Sequence, residues 1–119
     1  MPYHNLDVYK KAYRLALDVH KITLQFPRIE QHELASQLRR SSKSIPANIA
    51  EGMGKQSSKA EVRRFVQIAI GSCDESRVWL EFSKDLGYLN EEAQREFDLR
   101  FQEIGRMLRG VQKRYSAPA

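Results

Sequence analysis

Apolar residues recur along this chain at intervals of three and four, and no run of strand length alternates, so the pattern predicts helix nearly throughout. Punctuation divides it into four long segments, about 5–26, 31–52, 58–86 and 91–115. The first stops before Pro27. The stretch GMGKQS, residues 52–57, is a turn. Ser58 with Glu61 three residues on predicts a capping box at the head of the third helix. Gly87 suits the left-handed position just past that helix's end. Asn90 caps the fourth helix, whose first-turn acids Glu91 and Glu92 suit the positive end of the helix dipole. The last four residues, SAPA, are expected to fray. Short loops between long helices make neighbours antiparallel, so the predicted fold is all-α: one antiparallel up-down-up-down four-helix bundle over residues 1–119.

Pro46 challenges the second helix. A proline removes a hydrogen bond and clashes with the carbonyl four residues back, at a cost of about 3 kcal/mol in an unbroken helix. Two short helices split near Ser44 are the obvious alternative. The apolar phase argues for one. Leu34, Leu38, Ile45 and Ile49 fall within an arc of about 60° at 100° per residue, and a loop would have no reason to keep that register. The prediction is a continuous helix kinked near Ser42 to Pro46, with serine hydroxyls and water taking the freed carbonyls.

The helices differ in how much surface they need to hide. Ala93, Phe97, Phe101, Ile104, Leu108 and Val111 make a narrow seam on the fourth. On the first, charged residues crowd into an arc of about 100° and apolar ones fill most of the remainder. The third is similarly broad, with Phe65, Ile68, Ile70, Trp79, Leu80 and Phe82. A monomeric bundle cannot cover two faces of that width, and exposed patches of that size mark protein interfaces. Self-association through helices one and three is therefore expected, with Tyr9, Tyr13 and Leu17 in the oligomer interface. The alternative is that the aromatic stems fold back onto the bundle.

Composition adds little to this, but the placement of charge adds much. A net charge of +5 and one cysteine suit an ordinary reducing cytoplasm, the expected location. No apolar run is long enough to span a membrane, and the N-terminus lacks the apolar core of a secretion signal. Taking residues 1–14, 39–64 and 104–119 as one bundle end gives fourteen basic and three acidic residues, a net +11 against −6 for the rest. Such a cluster is the footprint of a polyanion, RNA or DNA. Arg39, Arg40, Lys43, Lys55, Lys59, Arg63 and Arg64 are the predicted nucleic-acid contacts, made to phosphate without reading sequence. A merely solvated face is the alternative, supported by the lack of any zinc-finger spacing, RNP aromatics or GXXG loop.

Candidate chemistry is sparse, and no catalytic residue, metal site or cofactor is expected. His4, His20 and His32 lie apart, without partners at metal-ligand spacing. The GMGKQS turn has the wrong glycine spacing for a phosphate loop. Cys73 falls among apolar positions, as a small core residue would. Arg40, Ser44, Asn48, Glu51 and Lys55 form a polar stripe down helix two. Asn48 and Glu51 there belong either to a hydrogen-bond network within the bundle or to an assembly contact.

Several stretches taken together (LDVYKKA, FP, ELASQLRRSSKSIPANIAEG, RFVQIAIGSCDES and DLGYL) resemble the four-helix bundle proteins encoded in 23S rRNA intervening sequences. Ser44-Ile45-Pro46 followed by Asn48-Ile49-Ala50-Glu51-Gly52 is the most specific part. The likeness covers residues 6 to about 90 closely and the fourth helix by pattern. It implies an antiparallel bundle, a ring-shaped homopentamer and no established catalytic activity. More distantly, the chain is similar to the accessory variability proteins of diversity-generating retroelements, which bind nucleic acid and a reverse transcriptase. Three functions remain open: a homo-oligomer binding RNA or DNA through its basic end, a protein assembly scaffold or adaptor whose charge serves solubility, and an enzyme whose site forms between subunits.

Overall fold

A computed structural model of the chain describes residues 2–116. It contains four helices: α1 Asp7–Thr23, α2 Leu34–Met53, α3 Lys59–Asp85 and α4 Glu91–Arg114. They form a body 49 Å long and 21 Å across in both short directions. Most of the tail expected to fray, residues 117–119, lies outside the described residues.

Cross-helix hydrogen bonds give the directions. Ser41 and Ser44 on α2 meet Ser76 and Ser72 on α3. On α3, Gln67 and Arg77 meet Gln112 and Asp98 on α4. Lys43 and Arg39 on α2 reach His20 and Thr23 on α1. In each pair one numbering rises as the other falls, so these neighbours run in opposite directions.

The expected first and second helices are each trimmed by short 3-10 turns. Tyr3–Asn5 forms one, so α1 starts at Asp7 rather than near residue 5. Arg28–Glu30 forms the other, and α2 starts at Leu34 rather than near residue 31. Glu30 substitutes for a cap there, its Oε1 accepting from the Leu34 amide at 3.3 Å. The third helix opens as Ser58 predicts, with its hydroxyl accepting from the Glu61 amide at 3.2 Å. Only half of the capping box forms, because the Glu61 carboxylate pairs with Arg64 at 2.9 Å instead. At the other end Gly87 adopts φ +84°, and the Tyr88 and Gly87 amides donate to the carbonyls of Ser83 and Lys84. This is a complete Schellman motif. Asn90 caps α4 through the Ala93 amide at 2.7 Å.

Pro46 sits inside α2, buried, without interrupting it. The hydroxyls of Ser41 and Ser42 bond the carbonyls of Leu38 and Arg39, one turn before the Ser42 carbonyl that the proline leaves without its amide. The four apolar residues that argued for continuity are all buried. The core between the helices is built on Leu15, Leu38, Ile49, Leu80, Phe101 and Leu108, each no more than 1% exposed. Burying each of these stabilises the fold by about 1.5–3 kcal/mol. α2 and α3 approach closely at Gly52 near the end of α2. A Cβ on Gly52 would lie 3.1 Å from that of Phe65.

Candidate assembly groove and basic end

α1 and α2 diverge enough to leave an apolar groove of about 590 Å³ between them. Its wall is aromatic. Tyr3 and Tyr9 meet edge to face at 4.8 Å between ring centres, and Tyr9 stacks on Tyr13 at 6.0 Å. The spacing of Tyr9, Tyr13 and Leu17 at i, i+4 and i+8 puts them on one side of α1. The floor is made of small residues: Ala16 from α1 and Pro46, Ala47 and Ala50 from α2. Tyr13 is 51% and Leu17 37% exposed, whereas Tyr9 is half-buried. Burial first, and then the neighbouring Tyr3 and Tyr13 phenols, raise the Tyr9 pKa above its ordinary value. At one end of the groove Lys43 donates to His20 Nδ1 at 3.0 Å. Desolvation, followed by the charges of Lys43 and Arg39, lowers the His20 pKa and so favours the neutral imidazole.

On the outside of α3, Val78, Phe82 and Leu86 form a ridge at i, i+4 and i+8, with Ile68 further along. All four are more than two-fifths exposed. Ile70 and Leu80 lie in the core, and Trp79 packs partly against it. The breadth of apolar surface on helices one and three thus survives folding as an exposed groove and an exposed ridge.

Four of the seven predicted nucleic-acid contacts come together: Lys55, Lys59, Arg63 and Arg64, at the junction of α2 and α3. Two are already engaged. Arg63 donates to the Tyr115 carbonyl at the end of α4. Arg64 pairs with Glu61 and lies over the Phe65 ring at 4.4 Å. Lys55 lies over the same ring at 5.8 Å, and Lys59 is exposed.

Arg39, Arg40 and Lys43 are elsewhere, which corrects the sequence-based grouping. They lie in the first half of α2, and that helix begins at the opposite end of the bundle. A helical side chain also leans toward its own N-terminus. Arg39 accordingly reaches back to the α1–α2 connection, donating to the Gln31 carbonyl at 2.8 Å and to Thr23 Oγ1 at 3.1 Å. Arg40 is exposed beside Ser41, Ser44, Ser72 and Glu75. Lys43 closes the groove.

With the end redrawn as residues 2–11, 50–66 and 105–116, ten basic side chains face three acidic ones, giving +7 against −2 for the rest. The segregation persists but is weaker than the sequence suggested. The last turns of α4 supply part of it through Arg106, Arg109, Lys113 and Arg114, all exposed. Sequence reasoning counted these residues at the basic end without taking them as contacts. Their spacing of three, four and one was the available signal.

The polar stripe on α2 divides. Asn48 Nδ2 donates to the Ser44 carbonyl and hydroxyl at 2.8 and 2.9 Å, and Ser72 donates to Ser44 at 2.9 Å. Glu51 is exposed in a shallow depression with Gly54 and Lys55. Asn48 thus belongs to a network inside the bundle, and Glu51 faces solvent. Cys73 is buried, and its thiol is pushed up to about 12, chiefly by desolvation. It is therefore protonated at neutral pH and a poor nucleophile. Among the described residues no group of three or more His, Cys, Asp or Glu is placed to hold a metal, and no helix is long and apolar enough to cross a membrane.

Residues 4–110 match the model of the family described as 23S rRNA-intervening sequence protein. Among solved structures, the chain is similar to a protein of unknown function from the S23 ribosomal protein family of Bacteroides thetaiotaomicron VPI-5482. The two are 28% identical, with a TM-score of 0.77 over 89% of this chain and 98% of that one. No curated protein matches.

Proposed function

The chain belongs to the family of 23S rRNA-intervening sequence proteins, and from that premise we propose that it is a non-enzymatic, homo-oligomeric bundle that binds RNA or DNA through its basic end. The observation that carries the proposal is the convergence of exposed bases from α1, α3, α4 and the α2–α3 turn. Lys10, Lys55, Lys59, Arg109, Lys113 and Arg114 lie at one end and face few acids. Contacts of this kind go to phosphate and carry little sequence information. In a cell the site of action is the cytoplasm.

The groove on α1–α2 and the ridge on α3 support self-association. They lie on different sides of one chain, so a contact between them is head to tail and closes into a ring, a pentamer in this proposal. The ridge is flanked by Asp74, Glu75, Glu81 and Asp85, while the groove ends in Lys43. Opposite charges would therefore meet. A ring repeats the basic end in every subunit and gives avidity from weak contacts. The same two surfaces favour the second reading, a protein scaffold without a nucleic-acid role.

A gel-shift titration over a salt series separates the two. Low-salt binding to random RNA or DNA in the micromolar range or tighter is expected. Its affinity should fall with salt by a log–log slope of about −0.9 for each duplex phosphate neutralised. Glu substitution at Lys55, Lys59, Lys113 and Arg114 together should abolish it, whereas Gln at Arg39 and Arg40 should leave it nearly intact. Failure of the parent protein to shift either nucleic acid at about 50 mM salt, where electrostatic binding is strong, leaves the scaffold reading.

A further inference from the structure

The end of the bundle opposite the basic one has its own character. It is formed by the α1–α2 connection and the α3–α4 turn, which are locked together. Phe26 and Tyr88 pack with ring centres 5.4 Å apart, and the Tyr88 hydroxyl donates to Glu30 Oε2 at 2.8 Å. Three of the four most exposed large apolar side chains among the described residues are found here: Ile29 at 78%, Leu24 at 59% and Leu86 at 54%. Residues 24–37 and 81–94 carry six acids, among them the exposed Glu33, Glu91 and Glu92, against two bases, Arg28 and Lys84.

The exposed side chains are held on a braced backbone. Ile29 sits on the 3-10 turn Arg28–Glu30. Gln31 Nε2, next to it, donates to the carbonyls of Thr23 and Phe26, both at 2.9 Å. Arg39 in turn clasps Gln31, bonding its main-chain carbonyl and its Oε1. The connection therefore spends a glutamine and an arginine on fixing a turn whose central side chain stays in water. Leu86 is similarly placed by the Schellman motif around Gly87.

We propose that this end is a docking site for a basic amphipathic polypeptide segment of a partner protein, whose apolar side chains cover Leu24, Ile29 and Leu86 while its lysines and arginines meet the surrounding carboxylates. The charge of the surface selects a basic occupant. Its size selects a segment. An end 21 Å across offers roughly 400–500 Å², about half of what each partner buries in a stable protein–protein interface. The groove and the basic end lie elsewhere, while Leu86 and the acids Glu81 and Asp85 are shared with the end of the α3 ridge, so the oligomeric state of a Leu86 variant decides between a second copy and a partner segment there. Arg39 is a positioning residue here, acting through Gln31.

Fluorescence anisotropy of the full-length chain with a labelled 14-residue peptide of leucine and lysine at helical spacing tests this. Saturable binding that weakens with salt is expected, with at least tenfold loss in a Leu24→Ser, Ile29→Ser, Leu86→Ser variant. These substitutions replace exposed side chains, so circular dichroism should match the parent. A scrambled peptide of equal composition should bind at least tenfold more weakly. Bound peptide should slow amide exchange over residues 24–33 and 86–92, and Arg39→Met should weaken binding while speeding exchange over residues 24–33. Equal binding by the triple variant, or by the scrambled peptide, overturns the proposal. It falls equally if the triple variant changes the oligomeric state of the protein alone, since the surface would then belong to a second copy.

Discussion

Cys73 shows how a single position is decided by its surroundings. Desolvation is the main cause of its raised pKa, followed by the charge on Asp74. The ordinary value is 9.0 and the folded one about 12. Folding therefore favours the thiol, and that contribution is complete below pH 9 and is lost as pH rises toward 12. Two outcomes are expected. A thiol reagent at pH 8 should label the native protein slowly and the urea-unfolded protein fast. Denaturant titrations at pH 8, 10 and 11 should show stability falling more steeply in the parent than in Cys73→Ala. Equal slopes would mean that the thiol is not the buried group described here.

Between elements, the α2–α3 seam is the most specific contact. Ser41 and Ser76, both at most 5% exposed, share a hydrogen bond of 2.7 Å. Removing one hydroxyl leaves the other buried without that partner, which costs about 1–3 kcal/mol. Removing both leaves no orphan. In urea denaturation Ser41→Ala and Ser76→Ala should each destabilise, and the double variant should lose less than their sum. Pro46, on the same helix, lines the groove on the α1 side. Pro46→Ala restores the missing amide, and this change is predicted to straighten α2 with little effect on fold stability but weaker self-association. Residual dipolar couplings along α2 would report the change in axis, and an unaltered axis would remove the kink from the account.

For the whole molecule, the self-association proposed above rests on the exposed apolar groove of α1–α2 and the exposed ridge of α3. A carboxylate in the groove should oppose association, because burying it unpaired is costly. Tyr13→Glu or Leu17→Glu is therefore expected to shift sedimentation toward monomer at micromolar concentration while leaving helix content unchanged. A parent protein that already sediments as a monomer would show that the groove stays open to solvent.

The sequence by itself determined the four helices, the Ser58 and Asn90 caps, the left-handed Gly87 and the continuity of α2 through Pro46. Each of these depends on residues within a few positions of one another, and local spacing carries that information. The wide apolar arcs that the sequence marked on helices one and three hold Tyr13, Leu17, Ile68 and Phe82, which stay exposed, but also Ile70 and Leu80, which the fold buries. Only the tertiary structure decided which side chains share an end. Arg39 and Arg63 look alike in sequence, yet one braces the α1–α2 connection and the other bonds the end of α4. The direction in which a long side chain leans, and the carbonyl it meets there, depend on chain many residues away. No local pattern encodes that meeting.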